Sequence, residues 1–519
     1  MGSSGIASVR QRQRFVALTI VATTLAGACA DGDPVDDAAA DIVVLWPRDA
    51  QDIDPRFTGD AYGLKLSRLL FASLVTVDPE TLDVVPDLAE RVEAVSPTEY
   101  RVLLRRGLRF GDGSVLDADD VASTFRGVVA PGFGTRWAAT FRRVARIETS
   151  APDTIVFHLS EPHATFLTDL ELPILREQDE RTHLGTPGGV TPVGAGPYRL
   201  VARRAGRIDL EPNPHWHRGV PRFARVRIVV VQDDNTRALR LLAGAGDLAM
   251  NAIPPLLVPL FERDARFRVR SAPGVGTTYL GIHLEAGPLE DVRVRQALAH
   301  AIDREAIVRA KLGGRARLAR SWIVPGHWAY ANDVPTYAFD PAQARRLLDA
   351  AGFAAQGSAP RLRLALRCGS ERSAQSNARA IAAMLREVGI ELDVRPTEMA
   401  TLIADLNQGR FELTLLQVPE VIEPHVLSWF FGSDRIPGPG TEGANRWRLR
   451  DAGLDAALDR GRRSVDRAVR RAAYADAQRI LTEELPVIPL WHEDVVAVTS
   501  GRATAFRVPR DGRYATLAW

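Results

Sequence analysis

The sequence predicts an α/β protein, and two patterns carry that prediction. In the first half, short segments alternate apolar and polar residues, as half-buried strands do. In the second half, apolar segments at 362–366 and 390–394 flank a helical segment at 377–388. Because a strand, a helix and a second strand in this order form a parallel pair with a crossover helix, a parallel sheet is expected there. A chain of 519 residues can hold about three domain-sized units.

Residues 1–28 predict an export signal. Arg10, Arg12 and Arg14 form a positive segment, residues 15–28 form an apolar one, and Cys29 follows. This apolar segment is shorter than the about 20 residues that a membrane span needs, and the order of the segments is that of a secretory signal. Residues 29–40 are acidic and poor in large apolar side chains, which predicts a flexible tether.

The first half of the remaining chain is expected to be mainly strands. In order, the predicted elements are a strand at 41–46, a leucine-rich helix at 62–74, strands at 100–104 and 155–159, and a hairpin at 198–210 that turns at Ala205-Gly206. Asp112-Gly113 predicts a further turn.

Residues 291–304 predict an amphipathic helix. Its apolar stripe is formed by Val294, Ala297, Leu298, Ala301 and Ile302, at the spacing of one helix face. Asp291 is expected to cap this helix, Asp303 to begin a second one, and Gly313-Gly314 to end it. The arginines between the apolar positions are expected on the surface.

The second half continues with alternating elements. After the crossover unit, the sequence predicts a helix at 401–407, a strand at 411–416, helices at about 453–461 and 465–484, and strand character at 486–499. Cys368 follows the strand at 362–366 and is expected to be a small buried packing residue, so no internal disulfide is expected.

The charge pattern argues against a nucleic-acid partner. The chain has 66 basic and 64 acidic residues, and only Lys65 and Lys311 are lysines. Because acids are interspersed with the arginines throughout, the sequence predicts a solvated surface of mixed charge.

Motifs of common enzyme classes are missing or lack their context. No lysine follows a glycine as in a phosphate loop, no G-x-S-x-G segment occurs, and His492-Glu493 lacks the second histidine of a zinc protease. His215 and His217 could share one face of an extended segment, but two histidines alone are a weak metal signal. Neither an enzyme nor a bound metal or cofactor is expected.

A colinear series of motifs resembles the extracellular solute-binding proteins of family 5, the receptors of peptide-type and nickel-type ABC importers. The series includes "DIDPRFTGDAYGLKLSRLLFASLVTVD", "YRVLLRRGLRFGDGSVLDADDVASTF", "PVGAGPYRL", "DVRVRQALAHAIDRE" and "FDPAQARRLLDAAGF". These motifs span nearly the whole chain after the export signal. Most of their residues are expected to build the scaffold and not the ligand site.

The resemblance implies a two-lobed, periplasmic-binding-protein type II-like fold with three subdomains and two chain crossings, which form a hinge. It implies a discontinuous core subdomain of lobe 1 at 41–54, 190–272 and 488–519. An accessory subdomain of lobe 1 is expected at 55–189, and lobe 2 at 273–487. Breaks at proline and glycine place the two crossings near 271–276 and 485–489.

The resemblance also implies ligand contacts in lobe 2. Glu420 matches the acidic residue that holds a peptide ligand's α-ammonium group, whereas the family usually has tryptophan at the position of Gln417. The segment Asn445-Arg446-Trp447 matches a cleft loop, in which an arginine could bind a carboxylate or a phosphate. Trp447 or Trp429 could stack on a ligand, and core packing is the alternative for each.

Further candidates lie after the first crossing and near the start of the chain. Tyr279 and His283 follow the first predicted crossing, and the family commonly has asparagine at the position of His283. Thr58, Gly59 and Asp60 match the first cleft loop. Each of these could contact ligand or serve only the scaffold.

The function implied is that of the substrate-binding component of an ABC importer. Such a protein captures a small solute, here a peptide or peptide-like compound, by lobe closure. Its partners would be the permease with its ATPase subunits and, through a lipid on Cys29, the membrane. A monomer outside the cytoplasm is expected. The alternatives are an unlipidated secretory signal, and an interaction or sensory lipoprotein that keeps the fold without transport.

Overall fold

Three sheets of four to seven strands and one two-stranded sheet organise the chain in a computed structural model, which describes residues 42–130, 134–135, 137–179, 182–185, 190–441 and 443–519. The predicted signal segment, Cys29 and the tether lie outside these described residues. No helix within the described ranges is long and apolar enough to cross a membrane.

The strands of the described residues follow one another along the whole chain. They are β1 (Ile42–Trp46), β2 (Val75–Val77), β3 (Val84–Pro86), β4 (Ala89–Ser96), β5 (Glu99–Leu104), β6 (Val144–Ala151), β7 (Thr154–Leu159), β8 (Tyr198–Arg204), β9 (Arg207–Pro212), β10 (Val226–Val230), β11 (Leu248–Met250), β12 (Phe267–Ala272), β13 (Thr277–Ile282), β14 (Ala316–Leu318), β15 (Leu362–Gly369), β16 (Ile390–Thr397), β17 (Leu413–Val418), β18 (Val487–Glu493) and β19 (Val495–Ser500).

The helices are concentrated in the second half. They are α1 (Ala61–Leu70), α2 (Ala118–Val129), α3 (Ala138–Phe141), α4 (Phe166–Asp169), α5 (Asp234–Leu242), α6 (Val258–Glu262), α7 (Val292–Ala301), α8 (Arg304–Leu312), α9 (Pro341–Ala350), α10 (Arg372–Arg386), α11 (Met399–Asn407), α12 (Val426–Phe431), α13 (Ala452–Arg463) and α14 (Arg467–Glu484).

A seven-stranded sheet, in the order β12-β19-β11-β1-β10-β9-β8, forms the centre of lobe 1. β1 pairs in parallel with β10, and all five of its residues are buried. Ile42, Val44 and Trp46 belong to the core on one face, while Val43 and Leu45 belong to the core on the other. A strand covered on both faces needs such a continuous apolar run.

A six-stranded sheet, in the order β14-β18-β13-β17-β15-β16, forms the centre of lobe 2. β15 pairs in parallel with β16 and with β17, which confirms the parallel arrangement predicted for the crossover unit. Cys368 is fully buried in the core of this lobe, as predicted. A third sheet, in the order β4-β5-β7-β6, packs on a separate core in the first half of the chain.

The first crossing was predicted correctly. The chain leaves β12 of the seven-stranded sheet at Ala272 and enters β13 of the six-stranded sheet at Thr277, within the predicted 271–276. Gly274 is required here, because a Cβ atom at this position would stand 2.2 Å from the Glu493 carbonyl oxygen of the second crossing.

The prediction of the second crossing at 485–489 was wrong. β18 continues through this range in the six-stranded sheet, and β19 begins at Val495 in the seven-stranded sheet, so the chain crosses at Asp494. Pro489 does not break the strand, because it pairs opposite Tyr279 where the register of β13 and β18 shifts. Prolines are tolerated at such irregularities. The six-stranded sheet therefore extends beyond the boundary at 487, and the subdivision into three subdomains stays a prediction.

The first helix is shorter than predicted. α1 ends at Leu70 and not at 74, and Phe71 is already extended. The Leu70 carbonyl accepts a hydrogen bond from the Gly196 amide, 3.0 Å away, so the chain entering β8 stands where α1 ends. Leu66, Leu69 and Leu70 pack in the core of the seven-stranded sheet, although the helix lies in the range that we assigned to the accessory subdomain.

The predicted helix pair is α7 and α8. Asp291 and Asp303 cap the two helices, and Gly313 ends α8 with a φ of 59°. The expectation that all arginines of α7 lie on the surface was wrong for Arg295, which is buried. Its guanidinium donates hydrogen bonds to the carbonyl oxygens of Leu289, Glu290 and Glu484, so the carbonyls of neighbouring segments replace water.

Candidate ligand-binding site

Six charged side chains meet where the two lobes and the third sheet adjoin, and we call them the cleft cluster. α1 supplies Lys65 and Arg68, the segment after α4 supplies Glu171, and the loop after β17 supplies Glu420. The C-terminal segment, which packs in the core of lobe 1, supplies Asp511 and Arg513. With three cations and three carboxylates, the cluster is balanced in charge.

Arg513 joins the two lobes. Its Nε donates to Oε1 of Glu420 over 2.7 Å, and one terminal nitrogen contacts the same oxygen. Its guanidinium also pairs with both carboxylate oxygens of Glu171. Only 5% of Arg513 is exposed. A buried guanidinium needs such partners, since an uncompensated charge in this position would be strongly destabilising.

The second oxygen of Glu420 is less occupied than the first. No hydrogen bond to Oε2 is found among the described residues, and Nη1 of Arg68 lies 4.0 Å from it, while another nitrogen of Arg68 lies 3.6 Å from Glu171. A carboxylate can accept about four hydrogen bonds. Oε2 therefore keeps acceptor capacity for a further donor in the cleft.

The cluster shifts the ionisation of its members. Burial by itself raises the pKa of Glu420, but Arg513 and then Arg68 outweigh burial and hold that pKa below its usual value. Burial raises the pKa of Asp511, Arg513 lowers it and Glu420 raises it, with a net rise. At neutral pH Glu420 is thus a firmly ionised acceptor of positive charge.

Lys65 lies against an aromatic wall of the cluster. Its Nζ stands 5.1 Å from the ring centre of Tyr62 and 5.6 Å from that of Tyr514, and both rings pack on Trp46. Burial, partly offset by Glu420 and reinforced by Arg68, lowers the pKa of Lys65 to about 8.

Further polar contacts cross between the lobes away from the cleft cluster. The exposed Arg48 pairs with Glu371 over 3.1 Å, and the Thr168 hydroxyl donates to Glu423 over 3.2 Å. The Ala164 amide donates to the Arg462 carbonyl over 2.8 Å. In the structure the lobes therefore touch each other.

Gln417 lies on β17 and is exposed, and Glu420 follows in the loop after this strand. Its amide nitrogen is 3.5 Å from the Thr278 hydroxyl, which donates to Glu493 at the end of β18. Among the predicted site residues, Gln417 and Glu420 are thus brought together at the same end of the six-stranded sheet.

The other predicted residues of lobe 2 are dispersed. Asn445 is fully buried, and its side-chain amide donates to the carbonyls of Phe431, Gly432 and Leu449. Trp447 is also fully buried in the core. Both side chains stabilise the interior of the lobe, so we leave them out of the proposed site.

Trp429 and Arg446 lie near an open groove of lobe 2 that is separate from the cleft cluster. Trp429 is 41% exposed and lines an open groove within lobe 2, together with Asn407 and Arg448. Arg446 is half-buried and donates to the Asn407 side chain over 2.8 Å. The structure thus groups these two residues with Asn407, and a ligand role for either stays a prediction.

Tyr279 and His283 lie within lobe 2. Tyr279 is 2% exposed and packs against Trp322 and Trp447. His283 follows the far end of β13 and packs against Phe411. Burial, followed by Arg448, lowers its pKa, so the imidazole is neutral at pH 7. Tyr279 is enclosed by core residues, whereas His283 also lies near Arg448.

The predicted loop of Thr58, Gly59 and Asp60 forms the start of α1. Thr58 is fully buried, and Gly59 is exposed. Asp60 caps α1 by accepting hydrogen bonds from the amides of Tyr62 and Gly63. This loop therefore positions Lys65 and Arg68, which follow on the same helix.

The sequence motifs did not indicate the other members of the cleft cluster, which are Lys65, Arg68, Glu171, Asp511 and Arg513. One signal was available for Lys65, since it is one of only two lysines in an arginine-rich chain. The described residues contain no group of three His, Cys, Asp or Glu side chains that could hold a metal ion. His217 pairs with Asp87 over 3.2 Å, whereas His215 lies beside Gly113, so the two imidazoles have different neighbours.

Two lobes that meet at a charged cluster, joined by two chain crossings, define a binding protein of the two-lobed periplasmic type. The chain belongs to the bacterial extracellular solute-binding proteins of family 5, whose model matches residues 83–436. Members are substrate-binding components of ABC importers and act outside the cytoplasm, and this chain is therefore a substrate-binding protein and not an enzyme.

Individual relatives cover nearly the whole chain. A probable di/tripeptide-binding protein of Pseudomonas aeruginosa is 28% identical, over 86% of this chain and 88% of its own. The glutathione-binding protein GsiB of Escherichia coli is 26% identical, over 96% and 97%. The crystal structure of NikA from Brucella suis with Fe(III)-EDTA superposes with a TM-score of 0.83 at 24% identity, over 92% and 98%. This last likeness shows the fold alone.

Proposed function

We propose that the protein captures a peptide or peptide-like compound between its lobes and that Glu420 binds the ligand's α-ammonium group. The observation that carries this proposal is the unfilled acceptor capacity of Glu420 Oε2 at the point where the lobes meet. A charge-assisted bond from an ammonium group to a partly buried carboxylate is stronger than one in water. Two relatives whose names specify di/tripeptides and glutathione support the same class of ligand.

The lobes would close over the ligand by a hinge at the two crossings, 273–276 and Asp494. A lipid on Cys29 would then hold the receptor as a monomer beside its permease. The mass of the mature N-terminal peptide tests the lipid, because an unmodified cysteine or cleavage elsewhere contradicts it.

The test of the ammonium site is Glu420→Gln, which keeps the shape of the side chain and removes its charge. We expect this variant to bind short peptides about 10- to 100-fold more weakly, which corresponds to the loss of a hydrogen bond to a charged group. Isothermal titration of di- and tripeptides against both proteins measures the difference.

The matched control is Glu371→Gln. This residue also pairs across the lobes, but with the exposed Arg48, and surface pairs contribute about 0–1 kcal/mol. Equal peptide affinity of Glu420→Gln and the wild type would exclude the ammonium site. If no peptide binds the wild type, the peptide assignment fails as well.

A further inference from the structure

Lys65 is the cation of the cleft cluster that lacks a carboxylate partner. No carboxylate oxygen of the described residues lies within 4.0 Å of its Nζ, whereas both arginines of the cluster lie within that distance of carboxylates. Its neighbours are the rings of Tyr62 and Tyr514. Aromatic faces stabilise a cation without neutralising its charge. The ammonium group therefore keeps its capacity to bind an anion.

Lys65 lies beside Arg68 on α1. Lys65 and Arg68 are separated by one turn of α1, so their side chains emerge from the same face of the helix. Arg68 reaches towards Glu420 and Glu171. The carboxylate of Glu420 is also the charged group that acts most strongly on Lys65, so Lys65 lies near the carboxylate whose Oε2 has spare acceptor capacity.

We propose that Lys65 binds the free C-terminal carboxylate of a short peptide ligand, while Glu420 binds the ammonium group of the same peptide. This proposal rests on the proposed function. The cluster holds three cations and three carboxylates, and a zwitterion leaves that balance unchanged. A ligand with a blocked C-terminus would satisfy Glu420 and leave the half-buried Lys65 without an anion.

The test compares dialanine and trialanine with their C-terminal amides. We expect the wild type to bind the free acids at least about tenfold more tightly than the amides, as the loss of one charge-assisted bond implies. Lys65→Met should abolish this discrimination, and Lys65→Arg should retain most of it. Lys311→Met, which changes the chain's other lysine on α8, is the control and should behave as the wild type.

A second measurement uses pH. Because the pKa of Lys65 is about 8, the wild type should lose roughly tenfold more affinity for trialanine than Lys65→Arg between pH 7 and pH 9. The peptide's own amino group titrates equally in both experiments and cancels in the comparison.

The outcomes separate the two proposals. If free acids and amides bind the wild type equally, or if folded Lys65→Met still prefers the acids, Lys65 is not the anion site, while peptide binding stands. If neither form binds the wild type at any concentration, the proposed function fails and the Lys65 site fails with it. Thermal unfolding of each variant establishes that it is folded.

Discussion

At the scale of single residues, Arg513 is the group that holds the cleft cluster together. It holds Glu171 and Glu420 together, and its own amide donates to the Asp511 side chain over 2.9 Å. Removing one partner of a buried ion pair costs more than the pair contributes, because the remaining charges are left without compensation. Without the guanidinium, the free-energy cost of desolvating these carboxylates would be largely uncompensated.

Arg513→Gln should lower the free energy of unfolding by about 3 kcal/mol at pH 7. In the wild type the pKa of Glu420 is depressed, so its contribution to stability is present above the unfolded pKa and is lost as pH falls through the folded one. Without Arg513, burial would instead raise this pKa. The stability difference between variant and wild type should therefore shrink from pH 7 to pH 5.

Urea unfolding at both pH values measures this effect. The control is Arg309→Gln, which removes an exposed ion pair between Arg309 and Glu305 on α8. It should change the free energy of unfolding by less than about 0.5 kcal/mol. If the free energy of unfolding of Arg513→Gln is only slightly lower than that of the wild type, or if the difference does not depend on pH, the role given to the ion pairs is contradicted.

Glu420 was predicted from the sequence and its partners were not, for a physical reason. Arg513 is 93 residues from Glu420 and 342 residues from Glu171 along the chain. Contacts between residues so far apart along the chain produce no pattern in the sequence around either residue, because they form only when distant segments pack together. The family resemblance located the carboxylate because it lies beside a local motif.

At the scale of elements, the junction of α1 with the entry to β8 sets where the cations of the cluster stand. Gly194 and Gly196 approach the last turn of α1 so closely that a Cβ atom on Gly194 would lie 2.1 Å from the Leu70 carbonyl oxygen. Any larger residue must displace backbone, either of α1 or of the incoming chain. The glycines therefore fix the end of the helix that carries Lys65 and Arg68.

Gly194→Ala should destabilise the protein by about 1–3 kcal/mol, as overpacking of a filled site does. Gly501→Ala is the matched control, because a Cβ atom there would have no neighbour within 4 Å. Thermal unfolding of both variants tests the claim. A Gly194→Ala protein as stable as the wild type would show that the junction is not tightly packed.

Elements with local signals could be predicted, and those decided by tertiary packing could not. The caps of α7 and α8 were predicted because Asp291 and Asp303 act within their own first turns. Arg295 was assigned to the surface because a charged residue in an apolar pattern normally faces water. The carbonyls that hold it include that of Glu484, at the end of α14, which no local pattern of α7 contains.

At the scale of the whole molecule, two sheets with separate cores are linked at 273–276 and at Asp494. The two-lobed fold was predicted from colinear motifs, while the second crossing was misplaced because Pro489 lies inside a strand. Glu420 contacts Arg513 across the two lobes. In the proposed function, capture of the ligand and closure of the lobes are one event.

The most direct measurement of capture is mass spectrometry of what the protein retains from a mixture of short peptides. After exposure to the mixture and washing, the protein is denatured and the released molecules are identified. We expect short peptides with free amino and carboxyl ends, enriched on the wild type relative to Glu420→Gln. Equal recovery from the two proteins, or no peptide from the wild type, would contradict peptide capture at Glu420.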